Sequence, residues 1–163
     1  MRSLLDTNLL VYADSADEPA KQRRAIALIR QHRGTNTAVL STQVLQEFVN
    51  VALRKLRLPP APIRQRLGFY AGFEMVPVTG ELMAGALDLH VLHSLSFYDA
   101  LILQAAKVSG CKQLLSEDMP NGAIVDGVRI VSPFLAAQAP PAAQASPAAP
   151  TPRRPPAAAR PPR

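Results

Sequence analysis

The strongest constraint in this sequence is an alternation of two apolar textures. Short runs of strand length, at Ser3 to Leu5, Ala38 to Leu40, Met75 to Val78, Gln113 to Leu115 and Val128 to Val131, are separated by longer stretches with helical spacing. Within Pro19 to Arg33, Ala25, Leu28 and Ile29 share one side; within Thr42 to Leu56, Val44, Phe48 and Val51 share one stripe. Pro62 to Phe73, Gly80 to Leu92 and Tyr98 to Val108 follow the same rule, and Ser109-Gly110 supplies a glycine stop to the last. Strand and helix in alternation predict an α/β fold with a mainly parallel central sheet. In such folds ligands gather outside the carboxyl ends of the strands.

The pattern ends at Leu135. From Ala136 to Arg163 the chain is nearly all Ala, Pro, Gln and Arg, with no acid and nine of the sixteen prolines. Such a segment buries too little surface to offset the entropy of ordering. One folded domain over residues 1–135 and a disordered Ala/Pro/Arg-rich tail over 136–163 are therefore expected. The division also explains the charge. Arg153, Arg154, Arg160 and Arg163 supply four of the six net positive charges, so the folded part stands at only +2. The high pI is a property of the tail and says little about nucleic acid. The single cysteine, Cys111, rules out an internal disulfide and a cysteine-rich zinc site. No apolar run approaches the roughly 18 residues of a membrane helix, and Asp6 interrupts any leader-like core. A soluble, cytoplasmic protein with no membrane contact is expected.

Four acids stand where an α/β fold does chemistry. Asp6 directly follows the first strand run, and Asp118 follows the fourth in Leu115-Ser116-Glu117-Asp118. Glu47 lies in the third helix on a stripe shared with Gln43 and Asn50, and Asp99 opens the sixth in Ser96-Phe97-Tyr98-Asp99. Each has an ordinary reading. Asp6 suits a helix N-terminus capped by Thr7 or Asn8, Ser96 to Asp99 has capping-box spacing, Glu47 suits a solvated helix face, and Asp118 suits a turn. Together the four are harder to dismiss. All adjoin strongly apolar segments, no lysine or arginine lies within three residues of Glu47, Asp99 or Asp118, and Arg2 stands four positions before Asp6 on the flanking strand, a poor partner. Carboxylates so placed need a counter-charge. Hard oxygen donors without His or Cys favour Mg2+, with Mn2+ as a substitute, over zinc.

Asp6-Thr7-Asn8, Gln46-Glu47-Phe48, Phe97-Tyr98-Asp99-Ala100 and Ser116-Glu117-Asp118 resemble, in order and spacing, the motifs of the PIN-domain ribonucleases, in detail those of VapC-like toxins of type II toxin–antitoxin systems. The resemblance runs from Leu4 to about Phe134; Ser116 stands where the family often has threonine, and the tail has no counterpart. It implies a Rossmann-like three-layer α/β/α sandwich, magnesium-dependent endoribonuclease activity on RNA, and a cognate antitoxin. It also implies that Asp6 and Asp99 are the main metal ligands, with Glu47 and Asp118 completing a catalytic set of four. Asn8 and Ser116 would support it by positioning water or phosphate.

An acidic pocket that takes RNA needs basic surroundings, for which Lys21, Arg23, Arg24, Arg54, Lys55, Arg57, Arg64 and Arg66 are the candidates. His90 and His93 share a helical face, but two histidines without a third ligand are an unconvincing metal site. The apolar faces of Pro62 to Phe73 and Gly80 to Leu92 serve the core, a partner helix or a homodimer contact. The competing reading is a non-catalytic PIN-fold module that binds RNA or protein. A phosphoacceptor domain is disfavoured by a helical Glu47 and by the lack of a lysine after a later strand. A flap nuclease is disfavoured by the lack of room for arch insertions.

Overall fold

The computed structural model describes residues 1–135; the tail expected over 136–163 lies outside the described residues. Strands β1 (Ser3–Leu5), β2 (Ala38–Ser41), β3 (Glu74–Val76), β4 (Gln113–Leu115), β5 (Ile124–Val125) and β6 (Val128–Val131) form one sheet in the order β3-β2-β1-β4-β6-β5. Every pairing is parallel except the β5–β6 hairpin. The helices are α1 (Thr7–Asp14), α2 (Pro19–Gly34), α3 (Thr42–Arg54), α4 (Pro60–Tyr70), α5 (Gly80–His93) and α6 (Phe97–Val108).

The expected three-layer α/β/α sandwich follows from this order. From β1 the chain steps outward to β2 and then β3, each time through a helix pair. It then returns through α5 and α6 to β4, on the other side of β1. Right-handed crossovers place outward steps and the return on opposite faces. Accordingly α1 packs on α2 and α3, while α6 lies across β1, β2, β4 and β6. Leu4, Leu5, Leu40, Leu114 and Ile130 of the sheet are buried between Leu9, Leu10, Val44 and Phe48 on some elements and Leu103 and Ala106 on another. Chain direction reverses its progress between β1 and β4, and that switch opens a crevice at their carboxyl ends.

Local chemistry sets the helix starts. Asp6, Ser41, Thr79 and Ser96 cap α1, α3, α5 and α6 with side-chain oxygens, and proline begins α2 and α4. Two strand expectations change. β3 stops at Val76 instead of reaching Val78, because Pro77 has no N–H to continue the ladder; the Val78 N–H instead bonds Thr42 Oγ1 at 3.0 Å. β5 was not expected at all. Its two residues are too short for a periodicity, although Asp126-Gly127, both with positive φ (47° and 82°), is the signature of a two-residue hairpin turn. No single described helix is long and apolar enough to cross a membrane.

Candidate active site

Asp6 is the hinge between strand and helix. Its backbone is extended (φ −78°, ψ 161°), its N–H closes the ladder to the Leu115 carbonyl of β4 at 3.1 Å, and its Oδ1 accepts the Thr7 N–H at 2.6 Å. Asp6 itself is therefore the N-cap of α1, in place of Thr7 or Asn8. That role fixes its carboxylate over the switch point. Oδ2 accepts the Ser116 hydroxyl at 2.5 Å and the Asn8 amide at 3.4 Å. The side chain is buried, and burial raises its pKa from 3.8 to about 6. The hydrogen bonds from Ser116 and Thr7 pull the other way, and the nearby Asp118 and Glu47 charges add to the rise.

Asp118 and Glu47 join Asp6 through neutral donors. The Asn8 amide also reaches Asp118 Oδ2 at 3.4 Å, and the Asp118 N–H bonds Ser116 Oγ at 3.2 Å. The expected supporting pair, Asn8 and Ser116, thus sits between two of the acids. Thr7, relieved of capping, donates its hydroxyl to Glu47 Oε2 at 2.9 Å, and Gln43 donates to Glu47 Oε1 at 2.9 Å. Asp99 is placed differently. Ser96 Oγ donates to Asp99 Oδ2 at 2.7 Å and accepts its N–H at 3.1 Å, so its carboxylate serves the capping arrangement that its spacing suggested. Its link to the others runs through Gln43, which also donates to the Tyr98 carbonyl at 3.3 Å.

Thr7, Gln43 and Glu117 are the residues that reasoning from sequence passed over. Gln43 precedes Glu47 by four, a spacing that puts both on one helical face. Glu117 turns away from Asp118 to Lys21, whose ammonium lies 3.1 Å from Glu117 Oε2, 2.8 Å from the Tyr12 hydroxyl and 3.3 Å from Glu18. Lys21 is therefore engaged inside the protein and is no part of an open basic surface. Arg24 bonds the Pro133 carbonyl, and Arg66 pairs with Asp14 at 2.6 Å. Among the described residues, Arg23, Arg54, Lys55, Arg57 and Arg64 make no ion pair. His90 bonds the Leu95 carbonyl and His93 faces Asp126, so neither histidine turns to a shared ligand. A cavity of about 190 Å³ between α1, α2 and α4, bordered by Asp14, Ile29, Arg66 and Tyr70, is separate from Asp6, Glu47, Asp99 and Asp118, none of which lines it.

The oxygen atoms offered around Asp6 come from carboxylates and a hydroxyl, the chemistry of a hard divalent cation. No described Lys or Arg pairs with Asp6, Glu47, Asp99 or Asp118, and Asn8 Oδ1 is buried without a hydrogen-bond partner. The residues fit such an ion in kind. Among the described residues, however, no three His, Cys, Asp or Glu side chains are drawn into one ligand cluster.

The fold has solved counterparts. A toxin–antitoxin complex from Klebsiella pneumoniae matches with a TM-score of 0.60 at 20% identity, covering 81% of this chain and 98% of that one. A VapC toxin of Mycobacterium tuberculosis that cleaves the sarcin–ricin loop matches with a TM-score of 0.57 at 19% identity, covering 71% and 91%. A VapBC complex of Salmonella typhimurium bound to DNA matches with a TM-score of 0.59 at 16% identity, covering 80% and 96%. At such identities the likeness is one of fold. No curated protein matches by sequence. The family model for the PIN domain matches residues 3–119, a span that begins at β1 and closes just beyond Asp118, and the chain accordingly belongs to the PIN-domain family.

Proposed function

We propose that the protein is a metal-dependent endoribonuclease that hydrolyses RNA phosphodiester bonds, and that it is the toxin of a toxin–antitoxin pair. The observation that carries the reading is the meeting of Asp6, Asp118 and Glu47 at the β1–β4 switch point with no basic side chain to neutralise them. Membership of the PIN family and the toxin–antitoxin fold counterparts support it.

In this reading Asp6 and Asp99 hold Mg2+ (or Mn2+), and Glu47 and Asp118 complete the catalytic acids. The bound ion supplies a Lewis acid for phosphate and lowers the pKa of an attached water. The protein's own part is orientation. Ser116 and Asn8 hold the Asp6 and Asp118 carboxylates in register across β1 and β4, while Thr7 holds Glu47. The buried setting of Asp6 keeps the field of the site strong. Arg54, Lys55 and Arg57, at the end of the helix that carries Glu47, offer positive charge to the RNA backbone. A cognate antitoxin partner is part of the reading. So is a homodimer contact on α5, where Met83, Leu87 and Val91 are exposed at four-residue intervals.

The test is cleavage of a structured RNA with magnesium and with chelator, by wild type and Asp6→Asn. Magnesium-dependent cleavage lost in the variant supports the nuclease. Metal-independent RNA binding without cleavage, equal in both proteins, would replace it with the non-catalytic module.

A further inference from the structure

Among the described residues, Gln43 is the one side chain hydrogen-bonded both to the Glu47 carboxylate and to the helix start that carries Asp99. It stands on the first turn of α3, is 6% exposed, and has its amide nitrogen within 2.9 Å of Glu47 Oε1 and 3.3 Å of the Tyr98 carbonyl. Both partners are pure acceptors, so only the amide NH2 can face them, and its two hydrogens match the two acceptors. The opposite side of the amide carries the cost of that arrangement. Gln43 Oε1 is buried and has no hydrogen-bond partner among the described residues. A buried acceptor is left unpaired only where another requirement outweighs it. Here the donor side spans two elements that sheet packing does not connect directly, α3 after β2 and α6 before β4.

We infer that Gln43 is a positioning residue of the active site: it clamps Glu47 and ties the amino end of α6, with Asp99, to it at one spacing. This rests on the nuclease reading above and extends it to a residue that touches neither substrate nor ion. With Thr7 on the other oxygen, Gln43 leaves the Glu47 carboxylate held by a neutral donor at each end. Neither donor brings a positive charge to Glu47, as an ammonium or guanidinium in the same place would. Removing such an orienting partner usually lowers metal affinity or activity by about 10- to 100-fold while leaving the ligands in place.

The test uses the full chain carrying Gln43→Met, which preserves length and removes both donors, and Gln43→Glu, which preserves shape and turns a donor into a like charge beside Glu47. Each is made alone and in the E47Q background. Melting in chelator reads folding, Mn2+ titration by calorimetry reads the site without turnover, and magnesium-dependent RNA cleavage reads kcat and KM. Expected are folded variants, Mn2+ affinity and kcat lower by about tenfold, little change in KM, and a smaller further loss when Q43M is added to E47Q than when it is added to wild type. Equal loss from Q43M in both backgrounds would mean a generic packing role and would overturn the inference. A crystal structure of the Q43M protein with Glu47 and Asp99 unmoved would overturn it too, independently of activity. A wild type that neither binds Mn2+ nor cleaves RNA would instead sink the nuclease reading, leaving that crystal structure to decide the role of Gln43.

Discussion

Ser116 and Asp6 are joined across neighbouring parallel strands, the serine hydroxyl donating to Asp6 Oδ2 at 2.5 Å just where β1 and β4 end. The same hydroxyl accepts the Asp118 N–H. One neutral group therefore holds the Asp6 carboxylate and the backbone that carries Asp118, and it does so without supplying positive charge to either acid.

Ser116→Ala is expected to loosen both. Asp6 loses its strongest stabilising hydrogen bond and its pKa rises further, so a higher pH is needed before the carboxylate is available to an ion. The loss of a charge-assisted bond is worth about 1.5–3 kcal/mol, or roughly 10- to 150-fold in metal affinity near neutral pH. Ser116→Thr keeps the hydroxyl and should retain activity. Titration of Mn2+ between pH 5 and pH 8 checks both variants; identical curves for Ser116→Ala and wild type would remove Ser116 from the site.

Asp6 also predicts an unusual pH dependence of stability without metal. Its folded pKa, about 6, lies above the unfolded 3.8, so the folded protein binds the extra proton in that window. Stability from this group is complete below the unfolded value and is lost as pH rises through about 6, by up to roughly 3 kcal/mol. Asp6→Asn keeps a good N-cap and removes the titration. In chelator it should melt higher than wild type at pH 7.5 and converge with it at pH 4. A variant less stable than wild type at both pH values would contradict the burial argument.

Asp99 decides between a cap and a ligand. Asp99→Asn preserves size and leaves a side chain able to bond Ser96, so folding should be normal. If the carboxylate belongs to the catalytic set, RNA cleavage falls at least about a hundredfold, equivalent to about 2.7 kcal/mol of barrier. Wild-type cleavage by a folded variant would return Asp99 to the capping role that its hydrogen bonds display.

The tail calls for a deletion. Residues 137–163 carry four arginines and no acid. Removing them should leave the melting temperature and the cleavage site unchanged. If they tether RNA through its backbone, removal weakens binding at low salt and flattens the salt dependence by up to about four phosphate contacts. Matching salt slopes for the full-length and shortened proteins would show that the tail is no tether.

Several features were written in short-range chemistry and needed no fold to be read. Pro19 and the Ser96 to Asp99 spacing mark two helix starts, and the period of the apolar residues separates strands from helices, although the helix expected from Pro62 begins at Pro60 and α1 is capped by Asp6. Asp6 and Asp118 were legible as acids at strand ends because position after a parallel strand is a local property. What sequence could not supply was which side chains meet. Lys21 and Arg66 look like free surface cations until Glu117, 96 residues on from Lys21, and Asp14, 52 residues before Arg66, are folded onto them. Thr7 looks like a cap until Glu47 arrives to take its hydroxyl, and Gln43 looks like a polar helix residue until the Tyr98 carbonyl comes within reach. Periodicity records how each segment partitions between water and core, a sum over local preferences. Hydrogen-bond partners are set by closure of the sheet and the packing of α3 against the start of α6, which no single segment encodes.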